Sequence, residues 1–497
     1  MSGRGNLLVI AVAHHQSGRL DEARAGYEAV LRQQPDHPDA LHLLGVLRDQ
    51  QGDHDAAIDL IGRAIAARPD SGDYHGNLGT ALLAAGRAAA AAAAYRQALA
   101  LDRDNPEWLY NLANVLREQG ETAAAAESFR HALQIAPQHL MARNNLAMLL
   151  WEDLGDMAEA ARQFDRLLEQ APDWPLGRMN HGVFCLAAGR YDAGWRDYEW
   201  RWRYPEYRER DWGLGLPRWK GEGLNGGGLL VWGEQGAGDQ ILYGTMLPDL
   251  MHRADLRPVV AVEARLVPLF ARSFAGTGLS VVERGTAIDA VAQCPFGSLG
   301  ALLRRQASDF SGGGRYLMAD VGHRDRLRQT YRDLAGPERR LLGLAWRSGN
   351  LTIGRHKSLP LQDLLPALRR PDVQWISLQP DATEDELAGL RRAGVTIHHD
   401  ARIDSLQDLD GFAAQVAALD GVVSVSSTGI HVAGALGRDG LLLLPAGRGR
   451  LWYWPAEGTA SRWYGSLQIV RQPAPGDWRG LVARLPAALD ELGNERI

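Results

Sequence analysis

The chain contains very little cysteine, very little lysine and no strongly basic region. Its only cysteines, Cys185 and Cys294, lie far apart, which excludes a disulfide framework and a cysteine-based metal cluster and indicates a reducing compartment. The net charge of −6 over 497 residues leaves no stripe of positive charge for phosphate neutralisation, so we do not expect a nucleic-acid partner.

Long apolar runs are also missing. The run from Leu7 to Ala13 is too short to span a bilayer and is followed at once by His14 and His15, so we interpret it as a helix of the first repeat. The apolar content of 45% and the charged content of 23% are those of a globular protein. We therefore expect a cytoplasmic protein, and the length predicts about three domains.

Only two of the 54 basic residues are lysine, Lys220 and Lys357. Arginine evidently serves wherever a generic positive charge is needed, so a lysine in this chain is a candidate for a role that requires a compact ammonium group. For Lys220 chance survival explains the residue equally well. The neighbours of Lys357, described below, favour a functional role.

A period of 34 residues runs through the first two fifths of the chain. Three series of residues keep this register, with one residue inserted before the fifth unit. They are glycines (Gly18, Gly52, Gly86, Gly120, Gly155 and Gly189), alanines (Ala23, Ala57, Ala91, Ala125 and Ala160) and bulky residues (Tyr27, Ile61, Tyr95, Phe129, Phe164 and Tyr198). The pattern resembles tetratricopeptide repeats and predicts an all-α solenoid of about six units over residues 1–205.

A fourth series of the same period consists of Asn77, Asn111, Asn145 and Asn180. We assign them to the fourth position of the first helix in each repeat, the helix that lines the concave face of such solenoids. Asparagine is a poor helix former, and side-chain amides can bind an extended peptide backbone whatever its sequence. The alternative is that each amide bonds within its own repeat turn. A polypeptide partner is favoured because similar asparagine ladders occur in intracellular protein O-glycosyltransferases.

Residues 206–227 form a predicted junction that continues an aromatic and arginine-rich stretch beginning at Trp195. Such a composition can provide a stacking platform for single-stranded nucleic acid. In an acidic chain we favour a packed interface between the solenoid and the following domain. A second aromatic patch, from Trp452 to Tyr464, fits either a stacking surface for a base or sugar or simply core.

The rest of the chain reads as short apolar strands that alternate with helices. The stretch Leu229 to Leu242 combines an apolar strand, a loop with three glycines and a helix, a pattern that lets backbone N–H groups approach a ligand. A second strand series begins at Leu341. Alternation predicts parallel sheets, and two series predict two facing Rossmann-like doubly wound domains, residues 228–322 and 323–497, with a ligand cleft at their carboxyl edges.

Several motifs then carry a resemblance that covers nearly the whole chain. They are Glu234-Gln-Gly-Ala-Gly-Asp239, Trp346-Arg-Ser-Gly-Asn350, Lys357-Ser358, Ser377-Leu-Gln379, Val425 to Gly437, Trp463-Tyr464 and Arg471-Gln472. Together they are similar to bacterial tetratricopeptide-repeat proteins with a heptosyltransferase-like GT-B domain. The resemblance implies a metal-independent glycosyltransferase that moves a sugar from a nucleotide-sugar donor to a protein Ser/Thr hydroxyl, in some members on flagellin. The family often has Asp-Thr where this chain has Ser426-Ser427, which leaves the donor sugar open.

The resemblance and the chemistry together select the site residues. We expect Asp239 to act as general base, with capping of its helix as the alternative and Glu234 as a weaker base. Lys357 is expected to stabilise the leaving phosphate, with a solvated surface lysine as the alternative. His431 is expected to donate to the same phosphate, and the alternative is a hydrogen-bonded interior histidine.

The remaining donor-binding residues are loop and helix-entry positions: Gly236, Gly238, Asn350, Gln379, Ser426, Ser427, Thr428 and Gly429. The Ser/Thr run lies at a strand-to-helix entry where hydroxyls and free N–H groups can bind phosphate; helix N-capping is the alternative. No metal and no cofactor beyond the nucleotide sugar is expected. Two other functions stay open: a non-catalytic adaptor with a degenerate GT-B domain, and a transferase for lipopolysaccharide or another glycan.

Overall fold

The computed structural model describes residues 4–208, 211–212, 215–310 and 313–492. Residues 209–210 and 213–214 of the predicted junction, and the outermost residues of the first and last predicted domains, lie outside the described residues, as do residues 311–312. The chain forms two compact units, Met1–Pro172 and Asp173–Ile497.

The first unit consists of five helical hairpins. Its helices are α1 (Arg4–Gln16), α2 (Leu20–Gln33), α3 (Pro38–Gln50), α4 (His54–Ala67), α5 (Gly72–Ala84), α6 (Ala88–Leu101), α7 (Pro106–Glu118), α8 (Thr122–Ile135), α9 (Leu140–Glu152) and α10 (Met157–Gln170). Each helix packs on the next along the chain, and first helices of successive hairpins also touch, as α3 touches α5 and α7 touches α9.

The repeated glycines explain how each hairpin turns. All six have a positive φ between 70° and 84°, a conformation that costs side-chain-bearing residues energy. At Gly120 an added Cβ atom would meet nothing within 4 Å. The backbone angle, and not lack of space, therefore requires glycine there. The predicted alanine series is fully buried, and Tyr27, Tyr95 and Phe129 are at most 1% exposed, so the helix contacts predicted from the period are confirmed.

The second unit mixes helices with parallel strands. Its helices are α11 (Pro175–Ala187), α12 (Tyr191–Tyr198), α13 (Pro205–Arg208), α14 (Ala237–Gly244), α15 (Leu247–Met251), α16 (Val267–Ser273), α17 (Gly300–Leu303), α18 (Val321–Ala335), α19 (Leu365–Leu368), α20 (Glu384–Arg392), α21 (Leu409–Ala417), α22 (Thr428–Ala435) and α23 (Trp478–Glu491). Its strands are β1 (Gly227–Trp232), β2 (Leu256–Val262), β3 (Ser280–Glu283), β4 (Ala292–Pro295), β5 (Arg340–Ala345), β6 (Val373–Ser377), β7 (Ile397–His398), β8 (Gly421–Val425), β9 (Gly440–Leu444) and β10 (Leu467–Arg471).

The strands form two parallel sheets. One has the order β3-β2-β1-β4 and the other β10-β9-β8-β5-β6-β7. In each sheet the chain first adds strands on one side of its first strand and then returns to the other side. The reversals lie between β1 and β4 and between β5 and β8, which are the points where ligand crevices form in such sheets.

Two of these strands were not predicted from the sequence. β4 reads Ala-Gln-Cys-Pro and β10 reads Leu-Gln-Ile-Val-Arg, and both lack a continuous apolar run. In β4 the polar Gln293 is buried because its Oε1 accepts a hydrogen bond from Trp232 Nε1 at 2.8 Å and its Nε2 donates to the Leu216 carbonyl at 2.9 Å. Such long-range partners leave no local signal in the sequence.

The sixth hairpin, α11 and α12, packs within the second unit. Trp195 is 1% exposed and donates to the Arg304 carbonyl at 2.8 Å. Arg201, in the 3-10 helix Glu199–Arg203, is fully buried and its guanidinium lies 4.3 Å from the centre of the Tyr198 ring. The aromatic and arginine-rich stretch is therefore packed protein interior at these residues.

Among the described residues, no helix combines the length and the apolar character that a membrane span requires.

Candidate functional site

A cavity of about 730 Å³ lies within the second unit at the carboxyl edges of both sheets. The loops that follow β1, β5, β6 and β8 all contribute to its wall. The predicted site residues that line it are Gly236, Gly238, Asp239, Asn350, Lys357, Ser426, Ser427, Thr428, Gly429 and His431. The structure thus gathers into one space residues that are up to 195 positions apart (431 − 236) in the sequence.

The glycine loop after β1 is fixed from two sides. Gly233 lies against the Gln240 side chain, which a Cβ atom at Gly233 would approach to 2.4 Å. Glu234 pairs with Arg201 through two hydrogen bonds of 2.9 and 3.0 Å, and its Oε1 accepts the Gly297 N–H at 2.7 Å. Glu234 is 6% exposed and its oxygens are already used by these partners, which argues against the weaker alternative of Glu234 as base.

The N-termini of α14 and α22 meet at this loop. A Cβ atom on Gly238 would lie 3.3 Å from His431 Cδ2 and 3.7 Å from Thr428 Oγ1. Ser427 occupies the N-cap position of α22 with an extended backbone, yet its Oγ makes no capping bond within the described helix. It lies 2.9 Å from Ser424 Oγ instead. The first N–H groups of α22 therefore stay available to an anion, as helix N-termini favour.

Asp239 is the third residue of α14 and borders the cavity. Burial raises the pKa of its carboxyl to about 6; Glu234 adds to the increase and Lys357 opposes it. The N-cap of α14 is Gly236, and no side chain of the described residues caps that helix. Asp239 is thus not used as a helix cap, and its pKa lies in the range that suits a general base near neutral pH.

Lys357 follows the short 3-10 helix Gly354–His356 and is 5% exposed. Burial lowers the pKa of its ammonium to about 8, and Asp239 opposes the decrease. The two arginines of the cavity wall already form ion pairs. Arg347 pairs with Asp381 and Glu386, and Arg265 pairs with Glu263. Lys357 Nζ makes no hydrogen bond to another described residue. It is therefore a buried charge that faces the cavity and not a solvated surface lysine.

His431 is 3% exposed and stacks on Trp454 with ring centres 5.3 Å apart. Its Nδ1 lies 3.1 Å from Tyr464 Oη and its Nε2 lies 3.4 Å from Tyr453 Oη. Burial and the Lys357 charge lower the pKa of the imidazole to about 3, so the ring is neutral near pH 7. His431 has the partners of an interior histidine while one edge of it reaches the cavity.

Several predicted donor-binding side chains have partners within the protein. Ser426 Oγ accepts a hydrogen bond from Trp454 Nε1 at 2.9 Å. Asn350 Oδ1 accepts the N–H groups of Thr352 and Ile353 and so shapes its own loop.

Gln379 does not belong to the described cavity wall. Its Oε1 accepts the N–H groups of Trp346 and Arg347 at 3.2 and 2.9 Å, and its Nε2 donates to Asp381 at 2.5 Å. Gln379 therefore fixes the start of the loop after β5 from behind, and any contact with a donor would be made by that loop.

The four predicted asparagines do share one register, but the position was wrong by two residues. Each is the sixth residue of its helix, because α5, α7, α9 and α11 begin earlier than expected. Asn77 Nδ2 lies 2.8 Å from His42 Nε2, and Asn145 Nδ2 donates to Asn114 Oδ1 at 2.8 Å. Asn77 and Asn145 thus bond to the preceding repeat, and Asn145 Oδ1 also accepts a hydrogen bond from Asn144 Nδ2 of its own helix at 3.1 Å. All four are partly exposed.

The sequence did not indicate several residues of the cavity wall. Val183 of α11, Tyr198 of α12, Tyr207 of α13 and Leu451 in the loop after β9 all line it. Trp452 and Tyr453 of the same loop also line it, and they belong to the aromatic patch that the sequence offered as a possible stacking surface. Val183 lies three residues after Asn180, so both are on one side of α11. The loop after β9 could have been found, because it follows the carboxyl end of a strand in the same sheet. The helical residues gave no such signal.

No group of three or more His, Cys, Asp or Glu side chains among the described residues could hold a metal ion.

The comparisons with known proteins identify the repeats. The tetratricopeptide-repeat family profile matches residues 8–72 and 77–139, and a second profile of this repeat matches residues 116–179. Protein FlbA of Caulobacter vibrioides is 28% identical over 507 residues, which cover 97% of this chain and 84% of FlbA.

Two solved structures are also similar over part of the chain. The tetratricopeptide-repeat protein TTC0263 of Thermus thermophilus is 24% identical, with 37% of this chain and 100% of that chain covered and a TM-score of 0.31. PilF of Pseudomonas aeruginosa is 20% identical, with 41% and 95% covered and a TM-score of 0.37. On the family profiles, residues 8–72 and 77–179 contain tetratricopeptide repeats, and the chain resembles FlbA over nearly its whole length.

Proposed function

We propose that the chain transfers a glycosyl group from a nucleotide sugar to a hydroxyl group of a polypeptide, and that its two parallel sheets are the halves of a GT-B glycosyltransferase. The observation that carries the proposal is the shared cavity of Asp239 and Lys357. A carboxyl with a pKa of about 6 and a buried ammonium lie at the carboxyl edges of the sheets, beside the N-terminus of α22. Proton acceptance and anion stabilisation are the two chemical requirements of this reaction.

The reaction assigns a task to each group. The acceptor hydroxyl loses its proton to the Asp239 carboxylate while its oxygen forms a bond to the anomeric carbon. The bond from that carbon to the phosphate oxygen breaks, and its electron pair stays on the phosphate. The Lys357 ammonium and the free N–H groups of Thr428 and Gly429 stabilise the added negative charge. No step requires a metal ion.

The repeats suit a polypeptide acceptor. The asparagine amides of α5, α7 and α9 are partly exposed, and in the sixth hairpin α11 contributes Val183 directly to the cavity wall. In this proposal the first unit binds the polypeptide acceptor and the cavity of the second unit carries out the transfer. Flagellin is the acceptor that the family resemblance suggests, and a cytoplasmic location would place the enzyme with nucleotide sugars.

One observation favours a second candidate, a non-catalytic adaptor. Ser426 binds Trp454, and His431 has tyrosine partners at both ring nitrogens. In an adaptor with a degenerate GT-B domain these residues would only stabilise the fold, and the repeats alone would bind partners.

A nucleotide-release assay separates the two functions. Wild-type protein is incubated with UDP-, GDP-, ADP- and CMP-linked sugars, and free nucleotide is measured with and without flagellin. The enzyme releases nucleotide from one donor. Asp239→Asn keeps the shape of the side chain and should still bind that donor. Its rate of nucleotide release should be lower than that of the wild type by a factor of at least about 100. If neither protein binds any of the donors or releases nucleotide from them, the result supports the adaptor.

A further inference from the structure

Tyr464 constrains the hydrogen-bond direction around His431. The Tyr464 side chain is fully buried, and among the described residues its Oη has one hydrogen-bond partner, His431 Nδ1, at 3.1 Å. A buried hydroxyl that donates to nothing carries a free-energy penalty. The Tyr464 hydrogen therefore points to Nδ1, which must be the unprotonated nitrogen of a neutral ring.

The other ring nitrogen then carries the hydrogen. With Nδ1 as acceptor, Nε2 is protonated and donates to Tyr453 Oη, 3.4 Å away. His431 is neutral at neutral pH because burial lowers the pKa of the ring to about 3. Tyr464 thus fixes the tautomer of His431, and in this tautomer the Nε2–H group points to Tyr453.

Tyr453 makes no other direct hydrogen bond among the described residues. Its Oη lies 3.4 Å from His431 Nε2, and Ser426 Oγ accepts from Trp454 Nε1 at 2.9 Å. Burial raises the pKa of the Tyr453 phenol well above its usual value, so the phenol keeps its proton at neutral pH. Because His431 donates to the oxygen, the phenol hydrogen has no acceptor among the described residues.

We infer that Tyr453 donates its phenolic hydrogen into the cavity, to a phosphate oxygen of the nucleotide, and that His431 is a positioning residue that orients Tyr453. This inference rests on the proposed function and deepens it. Tyr453 lines the cavity, while Tyr464 does not belong to its described wall. Because its oxygen accepts from His431 and its hydrogen has no acceptor among the described residues, Tyr453 offers the cavity a hydrogen-bond donor.

The surroundings select an anion as the acceptor of this hydrogen bond. Lys357 and the N-terminus of α22 border the same cavity, and both favour negative charge. Asp239, the carboxylate of that wall, is assigned to the acceptor hydroxyl. A phosphate group can therefore accept the hydrogen bond of Tyr453 and also interact favourably with Lys357 and the N-terminus of α22. A sugar hydroxyl would only accept the hydrogen bond of Tyr453.

The tautomer can be measured without any ligand. Long-range ¹H–¹⁵N correlation spectra of protein labelled at histidine distinguish the two neutral forms, and His431→Gln identifies the signal. We expect the Nε2–H form, unchanged between pH 6 and 8. An Nδ1–H form would overturn the inference, because Tyr453 would then donate to His431 and not to the cavity.

The ligand contact is tested by calorimetric titration with UDP, GDP, ADP, CMP and inorganic pyrophosphate. Tyr453→Phe should bind the preferred probe at least about tenfold more weakly, as expected for loss of a hydrogen bond to a charged group. Tyr331→Phe is the matched control: Tyr331 is also buried and bonds to Asp400 and Gln415, and it does not line the described cavity. It should bind like the wild type.

The outcomes separate this inference from the proposed function. If the wild type binds a nucleotide and Tyr453→Phe binds it equally well, the inference is wrong and the donor site stands. If the wild type binds none of the probes, both are overturned. If Tyr453→Phe loses affinity and its thermal unfolding matches that of Tyr331→Phe, the loss belongs to the contact and not to misfolding.

Discussion

Asp239 and Lys357 influence each other's protonation inside one cavity, and the consequence is a pH dependence. The carboxyl has a pKa of about 6 and the ammonium one of about 8. In the proposed reaction Asp239 accepts a proton only when deprotonated and Lys357 stabilises the phosphate only when charged, so we expect transfer to rise as pH increases through about 6 and to fall through about 8. The two midpoints belong to the pair.

The rate profile of the Lys357→Met variant is the control for this prediction. It should lose the alkaline limb and keep the acidic one, at a lower rate throughout. A wild-type profile that is flat from about pH 5 to 9 would contradict the assigned roles, since both groups would then be spectators.

Lys357 also makes a prediction about stability. Its folded pKa is depressed, so between about 8 and 10.5 the unfolded chain binds more protons and stability rises with pH. At pH 7 the buried charge is a cost, and Lys357→Met should increase the free energy of unfolding by up to about 3 kcal/mol. The measurement is urea unfolding.

Lys220→Met is the matched control, because Lys220 is the other lysine of the chain and is exposed. It should change stability by less than about 0.5 kcal/mol. Destabilisation by Lys357→Met would mean that the lysine serves the fold and not the site.

At this scale most of the site residues predicted from the sequence do line one cavity, Gln379 excepted, but the sequence did not predict how they are bonded. The glycine loop, Lys357 and the Ser/Thr run follow strand ends, and chain-local patterns mark those positions. The partners of Glu234 and His431 lie 33 positions away in each case, and the chemistry that Tyr453 offers depends on a hydrogen-bond direction. Such relations arise only from tertiary packing.

Among the structural elements, the repeat turns allow a test of backbone conformation alone. Gly120 has a φ of 82°, and an added Cβ atom would meet nothing within 4 Å. Gly120→Ala should therefore destabilise the protein by about 1–2 kcal/mol, from the left-handed backbone. Gly62→Ala is the matched change, since Gly62 lies inside α4 with equally open space.

Gly62→Ala should increase the free energy of unfolding by roughly 0.5–1 kcal/mol, because alanine has a higher helix propensity than glycine. Thermal unfolding of both variants gives the comparison. If both variants changed the stability by the same amount in the same direction, the positive φ would not be the reason for glycine at the repeat turns.

The link between the sixth hairpin and the glycine loop is the second element to test. Arg201 is fully buried against Glu234. Arg201→Met leaves a buried carboxylate without its cation and should cost about 3–5 kcal/mol. Adding Glu234→Gln should recover part of that loss in urea unfolding, because the amide oxygen can still accept the Gly297 N–H. A double variant as unstable as the sum of both single ones would contradict this account.

For the whole molecule, the period of 34 residues predicted the solenoid because one physical requirement recurs in every unit. The alternation of strands and helices predicted parallel sheets, again because one requirement recurs along the chain: a helix must connect each strand to the next parallel one. Where a strand had no apolar run, as in β4 and β10, the sequence failed, because neighbouring strands and buried partners supply what the segment lacks.

The division of tasks between repeats and cavity gives a prediction at this scale. Replacing Asn111 and Asn145 by alanine should weaken binding of a polypeptide acceptor such as flagellin and leave nucleotide affinity unchanged. Titration of the double variant with each ligand measures both effects. Gln119→Ala, at the exposed end of α7, serves as control. Loss of both affinities, or of neither, would refute a peptide-binding face.

The central claim is a nucleotide-sugar site that depends on Lys357. Calorimetric titration of the wild type with UDP, GDP, ADP and CMP, beside Lys357→Met and Lys220→Met, tests it most directly. The account predicts micromolar binding of one nucleotide by the wild type and by Lys220→Met, with a loss of at least about tenfold in Lys357→Met. Absence of binding for all four nucleotides, or equal binding by all three proteins, would contradict it and leave the chain as an adaptor built on its repeats.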